Sequence, residues 1–173
     1  MATRSFKDLI FMWCKLTPES ADKGDPNGAR NQQKIAEKGG QYTVDCYFKN
    51  DEAMEAFRTS GIEMEPMKHP RIKDGDSNVG IGKFFKASVY VTDEKVIKGE
   101  TIDFGGQPRV IYADNGEKRF WDWDEDGLIG NGSEGSIRVE VYSKGAGFRL
   151  TDVLVSTHVE YTGANDPDFD IEV

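Results

Sequence analysis

Apolar and polar residues alternate with a period of two along much of the chain, most clearly in five segments. Alternation puts every second side chain on one face of an extended chain, so it predicts half-buried antiparallel strands. Clusters of Gly, Asn and Asp separate these segments and favour turns. The predicted strands cover residues 9–16, 41–49, 83–92, 136–144 and 147–161. The pattern therefore indicates a mainly β domain.

The same alternation predicts which face of each strand is buried, although a slip of one residue would exchange the two faces. The predicted core faces hold Ile10, Met12, Cys14 and Leu16 in the first strand, Tyr42, Val44, Cys46 and Phe48 in the second, Phe85, Ala87, Val89 and Val91 in the third, and Ile137, Val139 and Val141 in the fourth.

Two segments between the strands have the composition of helices. Residues 51–60 form the stronger one, because Asn50 or Asp51 can cap it and acidic residues occupy its first turn. A weaker helix is predicted at 29–38, and a further hairpin at 95–112 with GGQP as its turn. Five principal strands, one helix after the second strand and an extra hairpin are typical of a small closed or partly open barrel.

The length and composition fit one folded domain. The chain has 173 residues, and 37% of them are hydrophobic, with 19 Gly in addition. No apolar stretch approaches the ~20 residues of a membrane span, and the N-terminal segment lacks the apolar region of a signal peptide. We therefore expect no membrane partner, a cytoplasmic location, and reduced thiols at Cys14 and Cys46.

Charge is unevenly spread along the chain. The net charge of −9 by itself opposes nucleic-acid binding, because phosphates repel an acidic protein. However, residues 164–173 carry four acidic and no basic side chains, whereas 1–40 and 68–98 are net positive by two and three charges. The sequence thus predicts a folded domain at 1–163 with basic regions, followed by a flexible acidic tail at 164–173.

Aromatic and basic residues share the predicted outer faces of the strands. Single-stranded nucleic acid needs this mixture, since bases stack on flat rings while cations contact the phosphates. The alternative is a second hydrophobic cluster with solvated cations, because strands favour aromatic residues in any case. The predicted DNA-binding residues are Trp13, Lys15, Tyr47, Lys49, Lys83, Phe84, Lys86, Arg138, Tyr142 and Lys144.

Other patterns of residues give little support for a metal site or an enzyme. Residues 122–127, DWDEDG, resemble the first half of a calcium loop, but Ser133 stands where the loop needs a bidentate Glu. A solvated acidic turn flanked by Trp121 and Trp123 fits better. The GIGK segment at 80–83 lacks two elements of a phosphate-binding loop, and no zinc motif is present. We expect no metal, no cofactor and no catalytic residues.

Residues 128–162, LIGNGSEGSIRVEVYSKGAGFRLTDVLVSTHVEYT, resemble the C-terminal half of the T7-type phage single-stranded DNA-binding proteins. The resemblance rests on GNGS before an alternating strand, a glycine-rich KGAG turn before a long strand, and an acidic tail directly afterwards. The N-terminal half matches more loosely, through an alternating strand, a helix after the second strand and a GKFFKASVY strand. The resemblance implies an OB-fold, a five-stranded antiparallel barrel, that binds single-stranded DNA without strong sequence preference.

The resemblance also implies a setting and a role for the tail. In this family the tail contacts replication proteins, such as a polymerase or helicase–primase, and competes with DNA for the groove. The matching tail residues are Asp166, Asp168, Phe169, Asp170 and Glu172. This tail departs from the family because it ends on Val173 rather than on an aromatic residue. The implied protein acts in phage DNA replication, recombination and repair in the host cytoplasm, as a monomer or homodimer, and deleting 164–173 is expected to tighten DNA binding.

The sequence leaves two other functions open. One is a carbohydrate-binding or structural β-sandwich module, which the acidic surface, the tryptophans and the calcium-like loop favour. The other is a magnesium-dependent nuclease that uses the carboxylates of 122–126. Calcium-dependent sugar binding without oligonucleotide binding would indicate the first, and nuclease activity lost on Asp122→Ala and Asp124→Ala would indicate the second.

Overall fold

The computed structural model describes residues 2–69 and 79–160, which form ten strands and two α-helices. The strands are β1 (Ala2–Lys15), β2 (Gln41–Phe48), β3 (Met67–Lys68), β4 (Lys83–Tyr90), β5 (Glu94–Ile97), β6 (Glu100–Asp103), β7 (Arg109–Asp114), β8 (Glu117–Phe120), β9 (Ser133–Tyr142) and β10 (Gly147–Thr157). The helices are α1 (Arg30–Glu37) and α2 (Asp51–Arg58). The prediction of a mainly β chain is confirmed, and both predicted helices form.

Eight strands make one mixed sheet in the order β3-β4-β2-β1-β9-β10-β7-β8, while β5 and β6 form a separate hairpin. Neighbours in the large sheet are antiparallel except for β7 and β10, which run parallel. Within the described residues no ladder joins β4 to β10, so the sheet does not close into the predicted five-stranded barrel. The two strands nevertheless approach each other, because the rings of Phe85 on β4 and Phe148 on β10 have centroids 6.2 Å apart.

The prediction that GGQP forms the turn of a single hairpin at 95–112 is wrong. The β5–β6 hairpin turns at Lys98–Gly99, whose φ angles are 53° and 80°, and β7 pairs with β8 across Asn115–Gly116, whose φ angles are 51° and 83°. Positive φ at both central residues matches the type I′ turns that suit the twist of two-residue hairpins. The GGQP segment instead connects β6 to β7.

The main core lies on one face of the large sheet and is covered by α2. The side chain of Asn50 caps this helix by accepting a hydrogen bond of 2.8 Å from the Ala53 N–H. Phe57 of α2 is fully buried, and its ring stacks on Phe85 at 4.2 Å. The predicted core faces of β2, β4 and β9 are confirmed, since these alternating apolar residues belong to the main core or pack against it. Among the described residues no helix is long and apolar enough to cross a membrane.

Strand β1 changes its buried face twice, so the prediction of one buried face along this strand is wrong. Register shifts occur around Asp8 and Trp13, whose φ angles are 56° and 52°. Each bulge inserts one residue and so reverses which side chains face the core. The main core therefore contains Phe6, Leu9, Phe11 and Leu16, with the free thiol of Cys14 packed against it. Ile10 and Met12, which were predicted to be in the core, belong instead to a small cluster on the opposite face.

Candidate nucleic-acid interface

The face of β1, β2 and β4 that is turned away from the main core carries four of the ten predicted binding residues in its cross-strand rows; we call it the outer face. Cross-strand pairing arranges its residues in rows, and neighbouring strands lie about 4.8 Å apart, so a row of three residues spans about 10 Å. The rows are Phe84–Tyr47–Ile10, Lys86–Asp45–Met12 and Ser88–Thr43–Lys15. Lys83 begins β4 beside these rows, where it pairs with Lys68 of β3.

Tyr47 and Phe84 stack on each other and do not form two separate stacking platforms. Their ring centroids are 4.7 Å apart with an interplanar angle of 19°. Tyr47 is only 3% exposed, and its hydroxyl lies 2.7 Å from Nδ1 of His69. The structure therefore places Tyr47 as a support for the half-buried ring of Phe84, rather than as a ring accessible to a base.

Trp13 is an exposed aromatic residue at the second bulge of β1. The residue is 51% exposed, and its backbone N–H donates a hydrogen bond of 2.8 Å to Oδ1 of Asn131. A positive φ is uncommon in a bulky residue and marks a position that the surrounding structure holds in place. The bulge thus fixes Trp13 next to the exposed Lys15, at the edge of the outer face.

Besides Lys86, which lies near Asp45, two of the predicted phosphate contacts have carboxylate partners. Nζ of Lys49 lies 2.5 Å from a carboxylate oxygen of Glu134, and the hydrogen bond to Glu134 raises the pKa of Lys49. A guanidinium nitrogen of Arg138 is 4.0 Å from Asp152, which also binds Arg109 at 2.6 Å. These pairs partly neutralise the two predicted cations.

Asp45 is a carboxylate in the middle of the outer face, with lysines on either side. It lies 3.9 Å from Nζ of Lys86, and 16% of its side chain remains exposed. Burial raises the pKa of Asp45, while the charges of Lys86 and Lys15 act in the opposite direction. The outer face therefore contains a negative charge that opposes phosphate binding when Asp45 is ionised.

A groove runs beside the outer face, between β4 and the C-terminal end of β9. It consists of three adjoining cavities with volumes of about 530, 300 and 100 Å³. Tyr142 lines all three cavities, and Lys86, Ser88 and Phe148 line the middle one. The approach of β4 to β10 thus brings Tyr142 and Lys86, which are distant in sequence, into one site.

The charge of this groove is opposite in sign to that of the chain. Among the described residues that line its three cavities, four are cations and two are carboxylates. The cations are Arg4, Lys86, Lys144 and Arg149, and the carboxylates are Glu63 and Asp93. Asp93 is paired with Lys38 at 2.9 Å, and Arg149 is paired with Glu140 at 2.6 Å, so one carboxylate and one cation of the groove are each partly neutralised. The groove can therefore attract an anionic polymer.

The β5–β6 hairpin places a further cation over the aromatic wall of the groove. Nζ of Lys95 lies 5.2 Å from the ring centroid of Tyr142 and 5.5 Å from that of Phe104. The guanidinium of Arg149 lies 5.1 Å from the same Phe104 ring. Cations and ring faces thus alternate along this wall, which is the arrangement that stacking and phosphate contact both require.

Some of these groove residues were missed from the sequence, and some predicted residues lie elsewhere. Arg4 precedes the first predicted strand, and Phe104 was assigned to a hairpin, so no local pattern marked either residue. They meet in the groove because strands from distant parts of the sequence approach each other. Conversely, Lys49 and Arg138 do not line the three cavities.

The acidic loop at 122–127 is held closed by contacts within the protein. Asp126 accepts hydrogen bonds of 2.7 and 2.8 Å from Arg119, which lower the pKa of Asp126 to about 2. Trp121 is buried, and its Nε1–H donates to a carbonyl of the loop. Within residues 2–69 and 79–160, no group of three His, Cys, Asp or Glu side chains is placed to hold a metal ion.

The predicted tail lies outside the described residues, as does the predicted domain boundary after residue 163. The tail residues concerned are Asp166, Asp168, Phe169, Asp170 and Glu172.

Comparison of the chain with the models of known protein families finds no match, and comparison with curated proteins finds none either.

Proposed function

We propose that this protein binds single-stranded DNA without strong sequence preference, in the groove between β4 and β9 and on the adjoining outer face. The observation that carries the proposal is the excess of cations around Tyr142 in the groove of a chain whose net charge is −9. Because an acidic chain has no general affinity for phosphates, a local basic groove with aromatic walls supports a specific polyanion partner.

Bases stack on Tyr142 and Phe84 in this proposal. Base–aromatic stacking contributes about 1–3 kcal/mol per base and accepts any base, since every base has a π face. A base that stacks on Tyr142 from the side of the hairpin displaces Lys95 from the ring. The released ammonium group of Lys95 can then contact a phosphate, so this displacement adds a cation to the interface.

Phosphates contact Lys86 and Lys144 of the groove, with Lys15 on the outer face and Lys83 at the start of β4. Lys86 is exposed, and its Nζ lies 3.9 Å from a carboxylate oxygen of Asp45. This distance is too long for a strong hydrogen bond. Lys86 can therefore turn toward a phosphate. Contacts of this kind release counterions, so the affinity should fall steeply with salt.

We also propose that five strands act as an OB-like unit. Their order, β4-β2-β1-β9-β10, the helix that follows β2, and the contact of Phe85 with Phe148 support this interpretation. In OB-folds the second and third strands present the oligonucleotide-binding face, which here corresponds to β2 and β4. The resemblance to T7-type phage proteins agrees with it, and a role in phage replication with tail-mediated contact to a polymerase or helicase–primase is part of the same proposal.

The proposal can be tested by fluorescence anisotropy with a labelled dT oligomer over a series of salt concentrations. We expect binding at low salt that weakens as salt rises, and further weakening in Lys86→Ala and Tyr142→Ala. Lys118→Ala, on the edge strand β8 at the far end of the sheet, is the matched control and should behave as the unmodified protein. No binding at the lowest salt would refute the proposal, and calcium-dependent sugar binding in its place would favour the carbohydrate-binding module.

A further inference from the structure

The structure points to a phosphate-binding pocket in the largest of the three groove cavities; we propose that Arg4 and Lys144 hold one phosphate of the bound strand there. This inference rests on the proposed function, since the pocket adjoins the stacking residue Tyr142. The cavity has a volume of about 530 Å³, and the hydroxyl-bearing residues Ser60 and Ser143 also line it.

Arg4 is oriented by backbone carbonyls and not by a carboxylate. Its Nε–H donates to the Ser60 carbonyl at 3.2 Å, and Nη1 donates to the Thr3 carbonyl at 3.1 Å. Among the described residues it forms no ion pair, so its charge is not neutralised and Nη2 keeps donors for a ligand. A guanidinium held in this way suits a phosphate, whose oxygens can accept from its planar fork of donors.

Lys144 stands at the tip of an unusual turn across the cavity from β1. Ser143, Lys144 and Gly145 have φ angles of 51°, 54° and 96°, a left-handed stretch that is uncommon for residues other than Gly. The turn is anchored on the loop after α2, because the Glu63 N–H donates to the Gly145 carbonyl at 2.8 Å. A Cβ at Gly145 would lie only 1.9 Å from the Gly61 carbonyl oxygen, so the close approach requires Gly.

The anchored turn thus presents a second cation to the cavity that holds Arg4. Lys144 is exposed and, like Arg4, has no ion pair within the described residues. Strained backbone at an exposed lysine is expected where the position serves binding, since strain persists only when the surroundings hold it. Tyr142 lines both this cavity and the middle one, so a phosphate here belongs to a nucleotide next to the base stacked on that ring.

The double variant Arg4→Ala/Lys144→Ala tests the pocket with the full chain. Each phosphate contact with a single strand contributes about 0.7 to the slope of log K against log salt, so losing two contacts should lower the slope by about 1.4. At 0.1 M salt this corresponds to roughly 25-fold weaker binding of a dT oligomer. The matched control is Arg30→Ala/Lys118→Ala, which removes two exposed cations outside the groove and should leave affinity and slope nearly unchanged.

Three further arms keep the result unambiguous. Equal thermal unfolding midpoints of the two double variants exclude a folding defect, and Arg4→Lys with Lys144 intact should restore most of the slope. Oligomers with a 5′-hydroxyl or a 5′-phosphate, together with competition by dTMP, distinguish a phosphodiester within the strand from a terminal phosphate. We expect the double variant to lose the same affinity for both oligomers.

If the unmodified protein binds dT but the double variant retains its affinity and slope, the pocket is refuted while the proposed function stands. If the unmodified protein binds no oligomer, the proposed function fails as well.

Discussion

Replacing Asp45 with Asn should tighten binding of single-stranded DNA, because the change removes the carboxylate at the centre of the outer face. Asp45 lies 3.9 Å from Nζ of Lys86, and a phosphate accepted by that lysine lies about 3 Å beyond Nζ. A phosphate roughly 7 Å from the carboxylate is repelled by about 0.6 kcal/mol at the dielectric constant of water and about 2.4 kcal/mol at an effective value of 20. Asp45→Asn should therefore increase affinity by about 3-fold to 60-fold, with salt moving the result toward the lower end.

The pH dependence of the same variant gives an independent check. Burial raises the pKa of Asp45, so the wild-type carboxyl is protonated at a higher pH than an ordinary Asp. As pH falls through that raised pKa, wild-type affinity should rise toward that of Asp45→Asn, whose own affinity should change less. The stability of the fold should depend on pH in the same direction as the affinity. Because the pKa of Asp45 is raised in the folded state, its contribution to stability is present at low pH and is lost as pH rises through the folded pKa. Asp45→Asn should not show this loss.

Anisotropy titrations with a dT oligomer suit this test, because thymine does not titrate at mildly acidic pH. Glu117→Gln is the matched control, since it removes one exposed carboxylate on the edge strand β8. It should give little change in affinity and no change in the pH profile. Equal affinities of Asp45→Asn and the wild type at neutral pH and low salt would refute the reasoning that phosphates bind near this carboxylate.

Three more predictions concern stability and the limits of the interface. Phe57→Ala should lower the free energy of unfolding by about 3–5 kcal/mol in urea titrations, because the fully buried ring packs on Phe85 at 4.2 Å. Asp126→Asn should make stability less dependent on pH in the acidic range. The hydrogen bond from Arg119 is the main cause that lowers the pKa of Asp126 to about 2. The wild-type carboxylate therefore stabilises the fold above the ordinary Asp pKa, and this stabilisation is lost as pH falls toward 2. Thermal unfolding over roughly pH 2 to 6, which includes the lowered pKa and the ordinary Asp pKa of about 3.9, measures this. Lys49→Ala should change dT affinity by less than about twofold, because Lys49 is already paired with an acidic neighbour outside the groove.

The buried faces of β2, β4 and β9 were predictable because strand alternation is a local property. Once Val44 and Ala87 are assigned to the core, their neighbours two residues away follow. Strand β1 was not predictable in this way, because bulges at Asp8 and Trp13 each shift the phase by one residue. No apolar pattern marks a bulge in advance, and the burial of Ile10 and Met12 on the opposite face follows from it.

The candidate site was predictable only in part, because it depends on contacts between distant strands. The aromatic and basic character of Phe84, Lys86 and Tyr142 is visible in the sequence. Their assembly into one groove, with Arg4 added, follows from the approach of β4 to β10. The burial of Tyr47 under Phe84 likewise depends on neighbouring segments and not on the pattern of its own strand.

The most direct test of the central claim is to locate the bound strand by photocrosslinking. An oligomer containing 5-bromodeoxyuridine should crosslink, on irradiation, to aromatic residues within stacking distance, and mass spectrometry of the digested protein identifies them. We predict crosslinks at Tyr142 and Phe84, which weaken when unlabelled dT competes and when salt is raised. Absence of crosslinks at saturating oligomer, or crosslinks confined to the loop around Trp121 and Trp123, would contradict the account.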